Sequence, residues 1–122
     1  IRGKVAKEDD STVDRVIFGR AGTGMIITNE RTGRFALYRY DFGTRTEQRL
    51  TTRGDAFAPV LNRAGTHVAY VHDGTELRVM DVNGGEDRVV ARGPFRRPPF
   101  MRERGIAWSP DGRYLAYLIA GD

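Results

Sequence analysis

The chain has 122 residues, which is material for one domain at most. No apolar run approaches the roughly eighteen residues of a membrane-spanning helix, and the absence of cysteine excludes disulfides, thiolate nucleophiles and Cys-ligated metals. The formal net charge of +4 is modest and has no interleaved basic and aromatic residues beside it, so nucleic acid is not an expected partner.

The first part of the chain predicts a group of four short β-strands. Residues 1–10 are charged, and only Val5–Lys7 indicates a strand there. Beyond them, short runs of apolar and aromatic residues alternate with glycine and polar residues, as strands alternate with turns. The predicted strands of this group are Arg15–Phe18, Gly24–Asn29, Phe35–Phe42 and Gln48–Thr52.

A second group of four strands follows, with stronger turn signals. The dipeptide Asp73-Gly74 and the run Asn83–Gly85 are typical of β-hairpin turns, because Asn, Asp and Gly tolerate positive φ. No stretch of the chain predicts a helix. The strands of this group are Ala58–Leu61, Thr66–His72, Glu76–Val82 and Arg88–Ala91.

The last part begins with a segment rich in arginine and proline, Arg92–Arg104, which is a poor strand or helix and is predicted to be a loop. Two strands come after it, Ile106–Ser109 and Arg113–Ile119. The turn between them, Ser109–Gly112, combines the fixed φ of proline, the backbone-bonding carboxylate of aspartate and a glycine that tolerates positive φ.

These hairpins are copies of one unit. When Gly22, Gly65 and Gly112 are aligned, they lie 43 and 47 residues apart, and the apolar positions around them coincide. The match extends into the following strand, where Leu37–Gly43 corresponds to Leu77–Asn83. A period of roughly 40–45 residues with four strands in each unit is the mark of a propeller blade.

The sequence therefore predicts an all-β chain that forms a partial β-propeller of about two and a half four-stranded antiparallel blades. Since propellers close with about four to eight blades, further blades from the parent chain or another copy would be needed, and the isolated chain is expected to self-associate. The predicted divisions are blade one at about 13–54, blade two at about 55–93, the inter-blade loop at 92–104 and half of blade three at about 105–122.

The residues Ile106–Tyr117, together with Leu77–Glu86 in the preceding unit, resemble the WSPDG (PD40, TolB-like) propeller repeat. The resemblance covers the chain from about Val13 onward. Two copies depart from the pattern, with Arg-Ala-Gly where Pro-Asp-Gly is expected, although the glycine is kept. This repeat occurs in TolB, in tricorn-type proteases and in the propellers of prolyl-oligopeptidase-type peptidases, so it is specific for the fold and weak for function.

The residues that define the repeat are expected to have structural roles. Trp108 is predicted to be buried between blades, and the two aspartates that end the third strands are predicted to accept backbone or arginine hydrogen bonds. The structural set comprises Trp108, Ser109, Pro110, Asp111, Gly112, Gly65, Gly22, Asp41 and Asp81.

No catalytic set, cofactor site or metal site is predicted. Ser11 lies in the charged first segment and Ser109 in the repeat turn, while His67 and His72 are five apart on one strand and so point to opposite faces. The glycines of Gly19–Gly24 lack the spacing, the lysine and the helix of a phosphate-binding loop. This chain itself is not predicted to run a reaction.

The loop Arg92–Arg104 is the one candidate binding segment. Its arginines against Glu103 give a local charge of +4, and its prolines lower the cost of ordering it around a ligand. Guanidinium groups fit carboxylates, and Phe95 and Phe100 could add apolar contacts. A surface loop with solvated arginines is the simpler interpretation. The candidate peptide- or anion-binding residues are Arg92, Arg96, Arg97, Arg102 and Arg104.

The resemblance implies two functions of different classes. One is a non-catalytic propeller segment of a larger tricorn-like or prolyl-oligopeptidase-like serine peptidase, which gates or holds peptide substrates. The other is a TolB-type propeller of the cell envelope that binds protein partners and has no enzymatic activity. The first implies the cytoplasm if the parent is tricorn-like, and the second implies the periplasm or another compartment outside the cytoplasm, so the sequence leaves the compartment undecided.

Overall fold

A computed structural model describes residues 13–18, 24–29, 35–41, 43–95 and 105–119, the first two ranges as backbone only. These residues form β-strands joined by turns and loops. The predicted strand Val5–Lys7 and most of the arginine-rich loop lie outside the described residues. The strands are β1 (Val13–Phe18), β2 (Gly24–Asn29), β3 (Ala36–Asp41), β4 (Thr46–Arg49), β5 (Ala56–Leu61), β6 (His67–His72), β7 (Glu76–Asp81), β8 (Arg88–Arg92), β9 (Ile106–Trp108) and β10 (Leu115–Tyr117).

The strands form three antiparallel sheets that follow the chain order. The first contains β1 to β4, the second contains β5 to β8, and the third pairs β9 with β10. We call these blade one, blade two and blade three. The prediction of an all-β chain made of four-stranded meanders, with a third unit represented by two strands, is confirmed. No helix that could cross a membrane occurs in the part of the chain that the structure describes.

Turn chemistry explains where the strands of blade two end. Asp73 and Gly74 both have positive φ, at 55° and 71°, and the Thr75 amide donates to the His72 carbonyl at 3.1 Å, so they are the central residues of a β-turn that requires positive φ at both positions. A β-bulge interrupts the pairing of β5 with β6 between Phe57 and Val60, and Ala58 within it has a φ of 57°. Such a bulge bends its strand and increases the local twist.

The core lies between the blades, because blade two buries both of its faces. One face supplies Val68, Tyr70 and Met80 to a cluster with Leu37 of blade one. The opposite face supplies residues to a second, larger cluster that includes Ile106 and is bordered by Trp108 and Leu115 of blade three. Because successive side chains of a strand point to opposite faces of the sheet, the strands of blade two contact blade one with one set of side chains and blade three with the other.

Candidate functional site

The turns that define the repeat are closed by equivalent hydrogen bonds in blades two and three. In blade three the Ser109 hydroxyl oxygen accepts the Tyr114 amide at 3.0 Å, while the Gly112 amide donates to the Ser109 carbonyl at 2.9 Å. In blade two Asn62 takes the place of Ser109: its Oδ1 accepts the His67 amide at 3.0 Å, and its carbonyl accepts the amide of the aligned glycine. The aligned glycines, Gly65 and Gly112, have φ values of 75° and 77°.

The two aspartates at the ends of the third strands accept equivalent backbone hydrogen bonds. Asp41 Oδ1 accepts the amide of Gly43 at 2.8 Å, and Asp81 Oδ1 accepts the amide of Asn83 at 2.8 Å. Each carboxylate thereby closes the turn that follows its strand. Both carboxylates are thus used to hold the turn between the third and fourth strands of their blade.

Trp108 joins blade three to blade two. Its indole Nε1 donates to the carbonyl of Val60 at 2.8 Å, and its ring packs against the larger core cluster. The side chain is half-buried rather than buried, so the prediction of a fully buried tryptophan is wrong in degree. The described part of blade three around it is a sheet of two strands, β9 and β10, and so provides less cover than the four-stranded sheet of blade two.

Both ends of the arginine-rich loop are fixed at one edge of the blades. The amides of Gly93 and Phe95 donate to the carbonyls of Thr75 and Gly74, each at 2.7 Å, so the chain stays paired past the end of β8. At the other end the carbonyl of Gly105 accepts the amide of Leu118 at 2.9 Å. We call this edge, formed by residues 50–55, 72–76 and 92–95, the connector edge.

Phe95 belongs to the core and not to the exposed surface of the loop. It is 5% exposed, and its ring centroid lies 6.0 Å from that of Tyr117. The idea that Phe95 supplies apolar contact to a ligand is therefore wrong, because the side chain is already used to bind blade two to blade three. Phe100, Arg96, Arg97, Arg102 and Arg104 lie outside the described residues.

A charged cluster occupies the connector edge of blade two. Glu76 accepts hydrogen bonds from Arg78 Nε at 2.8 Å and from Arg92 Nη1 at 3.1 Å. The bond from Arg78 is the main cause that holds the pKa of Glu76 below its ordinary value of 4.5. His72 Nδ1 lies 3.5 Å from Glu76 Oε1, and its Nε2 lies 3.2 Å from the carbonyl of Arg53. Arg92, with a 69% exposed side chain, is thus oriented by Glu76.

The cluster continues into a cleft of about 90 Å³ between blades one and two. Tyr70, which is 1% exposed, donates its hydroxyl to Asp87 Oδ2 at 2.7 Å, and Arg78 Nη1 lies 3.3 Å from Asp87 Oδ1. Burial, together with the bond to Asp87, raises the pKa of the Tyr70 phenol well above its usual range. The cleft is lined by Leu50, Thr51, Thr52, Arg53, Tyr70, His72, Arg78 and Asp87.

The described residues bring no catalytic constellation together. Ser109 donates its hydroxyl to Asp111 Oδ1 at 2.7 Å, within its own turn. That bond is the largest cause that lowers the pKa of Asp111. His67 Nδ1 lies 2.9 Å from the Thr66 hydroxyl, at the opposite end of β6 from His72. No group of three or more His, Cys, Asp or Glu residues that could hold a metal ion occurs among the described residues.

Comparisons with solved structures identify the fold. The chain is similar to TolB from Acinetobacter baumannii, with 26% identity and a TM-score of 0.72 over 93% of this chain and 28% of that one. A TolB-like structure from Agrobacterium tumefaciens matches with 19% identity and a TM-score of 0.62, over 93% and 46%. An oligogalacturonate lyase from Vibrio parahaemolyticus matches with 15% identity and a TM-score of 0.63, over 87% and 29%.

The chain spans less than half of the length of each of these proteins. No protein-family model matches the sequence, and no curated protein does. The structural likeness confirms the resemblance drawn from the WSPDG turn: the chain carries a TolB-like propeller repeat and forms a β-propeller segment.

Proposed function

We propose that this chain is a non-catalytic segment of a larger TolB-like propeller protein and that its connector edge holds a peptide or protein ligand. The observation that carries the proposal is the attachment of Arg92–Phe95. Backbone hydrogen bonds to Gly74 and Thr75 and the ion pair with Glu76 fix the start of the arginine-rich loop at this edge. The loop therefore begins beside a surface that carries charged side chains.

The chemistry of the loop favours carboxylate ligands. Guanidinium groups present a planar fork of donors that carboxylates accept in pairs. Arg92 is oriented by Glu76 and exposed, and Arg96 and Arg97 follow it closely in sequence. In the proposed function these three arginines, with Arg102 and Arg104, bind the C-terminal carboxylate or acidic side chains of a peptide.

Two larger settings fit this activity. In one, the propeller belongs to a tricorn-like or prolyl-oligopeptidase-like serine peptidase and holds or gates its peptide substrates. In the other, it is a TolB-type interaction propeller without enzymatic activity. The likeness to TolB from Acinetobacter baumannii at 26% identity is compatible with the second setting, and the first depends on the wider family that shares the repeat.

The test of ligand binding uses the intact parent protein and two forms of each peptide, one with a free C-terminal carboxylate and one amidated. We expect Arg96→Ala/Arg97→Ala to weaken binding of the free-acid peptide and to leave the amidated peptide unaffected. The matched control is Arg45→Ala/Arg63→Ala, which removes two arginines from exposed turns at the opposite edge of the blades. Equal binding of both peptides by the wild type and both variants would show that the loop is only a connector.

The setting is tested separately by labelling the parent protein with a fluorophosphonate, which reacts with activated serine nucleophiles. Labelling of a serine outside this chain supports the peptidase setting. Absence of labelling in a folded parent that still binds the peptide supports the interaction propeller.

A further inference from the structure

The cleft between blades one and two is a small polar cavity beside the start of the arginine-rich loop. Its volume of about 90 Å³ has room for several water molecules, and hence for one polar side chain. Leu50 and Thr51 line it from the segment that follows β4, and Tyr70 and Arg78 line it from blade two. Leu50 is the one aliphatic side chain in the lining, so the cleft favours a polar occupant.

The acidic group of the cleft is already paired. Asp87 is the one carboxylate in the lining. Its Oδ2 accepts the Tyr70 hydroxyl at 2.7 Å, and its Oδ1 lies 3.3 Å from Arg78 Nη1. Burial raises the pKa of Tyr70 well above its usual range, so the hydroxyl stays protonated and adds no negative charge to the cleft. A cationic occupant would therefore find no free carboxylate in the lining.

The positive charge and the hydroxyl donors of the cleft are not used up in the same way. Arg53 and Arg78 bring two guanidinium groups to a lining that has one carboxylate. Arg53 is exposed, and its side chain makes no hydrogen bond or ion pair within the described part of the chain. The Thr51 hydroxyl accepts the Leu37 amide at 3.1 Å and retains its own proton to donate. An anion with two acceptor oxygens fits this surplus of donors.

Glu76 places the cleft next to the start of the arginine-rich loop. Its carboxylate accepts hydrogen bonds from Arg78, which lines the cleft, and from Arg92, where the loop begins. The cleft and the start of the loop therefore lie on two sides of one side chain. An extended peptide, which advances about 3.3 Å per residue, covers such a separation in a few residues. A peptide whose C-terminal carboxylate is held by the loop thus reaches the cleft with an earlier side chain.

We propose that the cleft binds the side-chain carboxylate of a glutamate or aspartate that lies a few residues before the C-terminus of the peptide ligand. Arg53 pairs with this carboxylate, and the hydroxyls of Thr51 and Thr52 donate to it. Leu50 packs against the methylene groups that carry it. The ligand class is thereby narrowed to acidic peptides, which supply one carboxylate to the loop and a second to the cleft. This inference rests on the proposed function, in which the loop holds the end of the peptide.

The test compares glutamate and glutamine peptides by isothermal titration calorimetry with the intact parent protein. The probes are acetylated hexapeptides of alanine and serine with a free C-terminus, and one glutamate occupies in turn each of the four positions before the last. Each peptide has a glutamine counterpart. We expect glutamate to strengthen binding about fivefold or more at one or two of these positions, because its carboxylate gains charge-assisted hydrogen bonds.

Variants of the parent protein assign the preference for glutamate to the cleft. Arg53→Gln should bring the ratio of the two affinities close to one, and Thr52→Val should lower it about twofold. Both residues are exposed, so these changes leave the fold intact, which far-UV circular dichroism checks. The matched control is Arg63→Gln, in an exposed turn at the opposite edge of blade two, and it should leave the ratio unchanged.

Equal binding of the glutamate and glutamine peptides at every position overturns the proposal, and so does a ratio that Arg53→Gln leaves unchanged. Failure of the proposed function gives a different result: Arg96→Ala/Arg97→Ala has no effect on free-acid peptides, while the preference for glutamate still depends on Arg53. Glutarate, a free dicarboxylate, tests the source of the carboxylate. If glutarate binds to the wild type and not to Arg53→Gln while no peptide binds, the occupant is a small acid and the proposal is wrong.

Discussion

Glu76 connects the polar residues of blade two to the start of the arginine-rich loop. Its carboxylate accepts hydrogen bonds from Arg78 of its own strand and from Arg92 of the neighbouring strand, and it lies near His72. The side chains of Glu76 and Arg78 are about one-fifth exposed, whereas that of Arg92 is 69% exposed. The bond to Arg78 therefore contributes more to stability than the solvent-screened bond to Arg92, whose main effect is orientation.

Removing the charge of Glu76 should change how stability depends on pH. The pKa of Glu76 is lowered in the folded state, so the unfolded chain binds more protons between that pKa and the ordinary value of 4.5. The contribution of Glu76 is thus fully present above about pH 4.5 and is lost as the pH falls through the folded pKa. We expect Glu76→Gln to lower the free energy of unfolding at neutral pH and to flatten its decline in acid.

The measurement is urea denaturation at a series of pH values from neutral to acidic. Glu86→Gln is the control, because it makes the same chemical change at an exposed turn residue. If Glu76→Gln and wild type lose stability in parallel across the acid range, the bonds from Arg78 and Arg92 do not stabilise the fold.

Asn62 shows how the turn of the repeat is kept although its sequence differs from the Ser-Pro-Asp-Gly pattern. The turn in blade two has no aspartate, yet Asn62 Oδ1 accepts the amides of Thr66 at 2.8 Å and His67 at 3.0 Å. Asn62→Ala should lower the free energy of unfolding by about 1 kcal/mol, since two amides lose their acceptor. Asn62→Asp, which keeps the oxygen, should lose less, and Arg63→Ala in the same exposed turn should stay near wild type. Equal losses for all three variants would contradict this role.

Trp108 contributes to stability through both packing and a hydrogen bond. Because it is half-buried, Trp108→Ala should cost about 2 kcal/mol, less than the roughly 3–5 kcal/mol of a fully buried aromatic residue. Trp108→Phe keeps most of the ring packing and loses the bond to the Val60 carbonyl, so it should cost about 1 kcal/mol. Denaturation followed by far-UV circular dichroism separates the variants, and a Phe variant as unstable as the Ala variant would mean that packing is not the larger part.

The elements could be predicted from the sequence because local chemistry determines them. Turn glycines and alternating apolar residues locate the ten strands of the described residues, with ends displaced by at most three residues. The network of Tyr70, Arg78 and Asp87 could not be predicted, since it depends on the register of three strands, and Tyr70 meets Arg78 only once that register is known. Asn62 was missed for a different reason: it lies at the position of Ser109, three residues before the glycine, whereas the aspartate of the repeat is expected one residue before the glycine.

At the scale of the whole molecule, each blade is stabilised by its neighbours. Blade two buries both faces because blade one covers one and β9 and β10 cover part of the other. Blade three has no such cover on the far side of β10 within the described residues, and Tyr117, Leu118 and Ile119 are exposed there. The stability of a stacked repeat protein is approximately the sum of the stability of each repeat and the stabilisation from each interface between neighbours. A blade without a neighbour on one side therefore lacks the stabilisation of that interface and exposes apolar surface to water.

The isolated chain should therefore self-associate, because exposed apolar side chains and an open strand edge favour association. We expect sedimentation velocity to show species heavier than the monomer whose fraction rises with concentration. Leu118→Asp should shift the distribution toward the monomer, and Val90→Asp should leave it close to wild type. A chain that stays monomeric at high concentration and unfolds in one sharp transition would show that the described blades need no further cover.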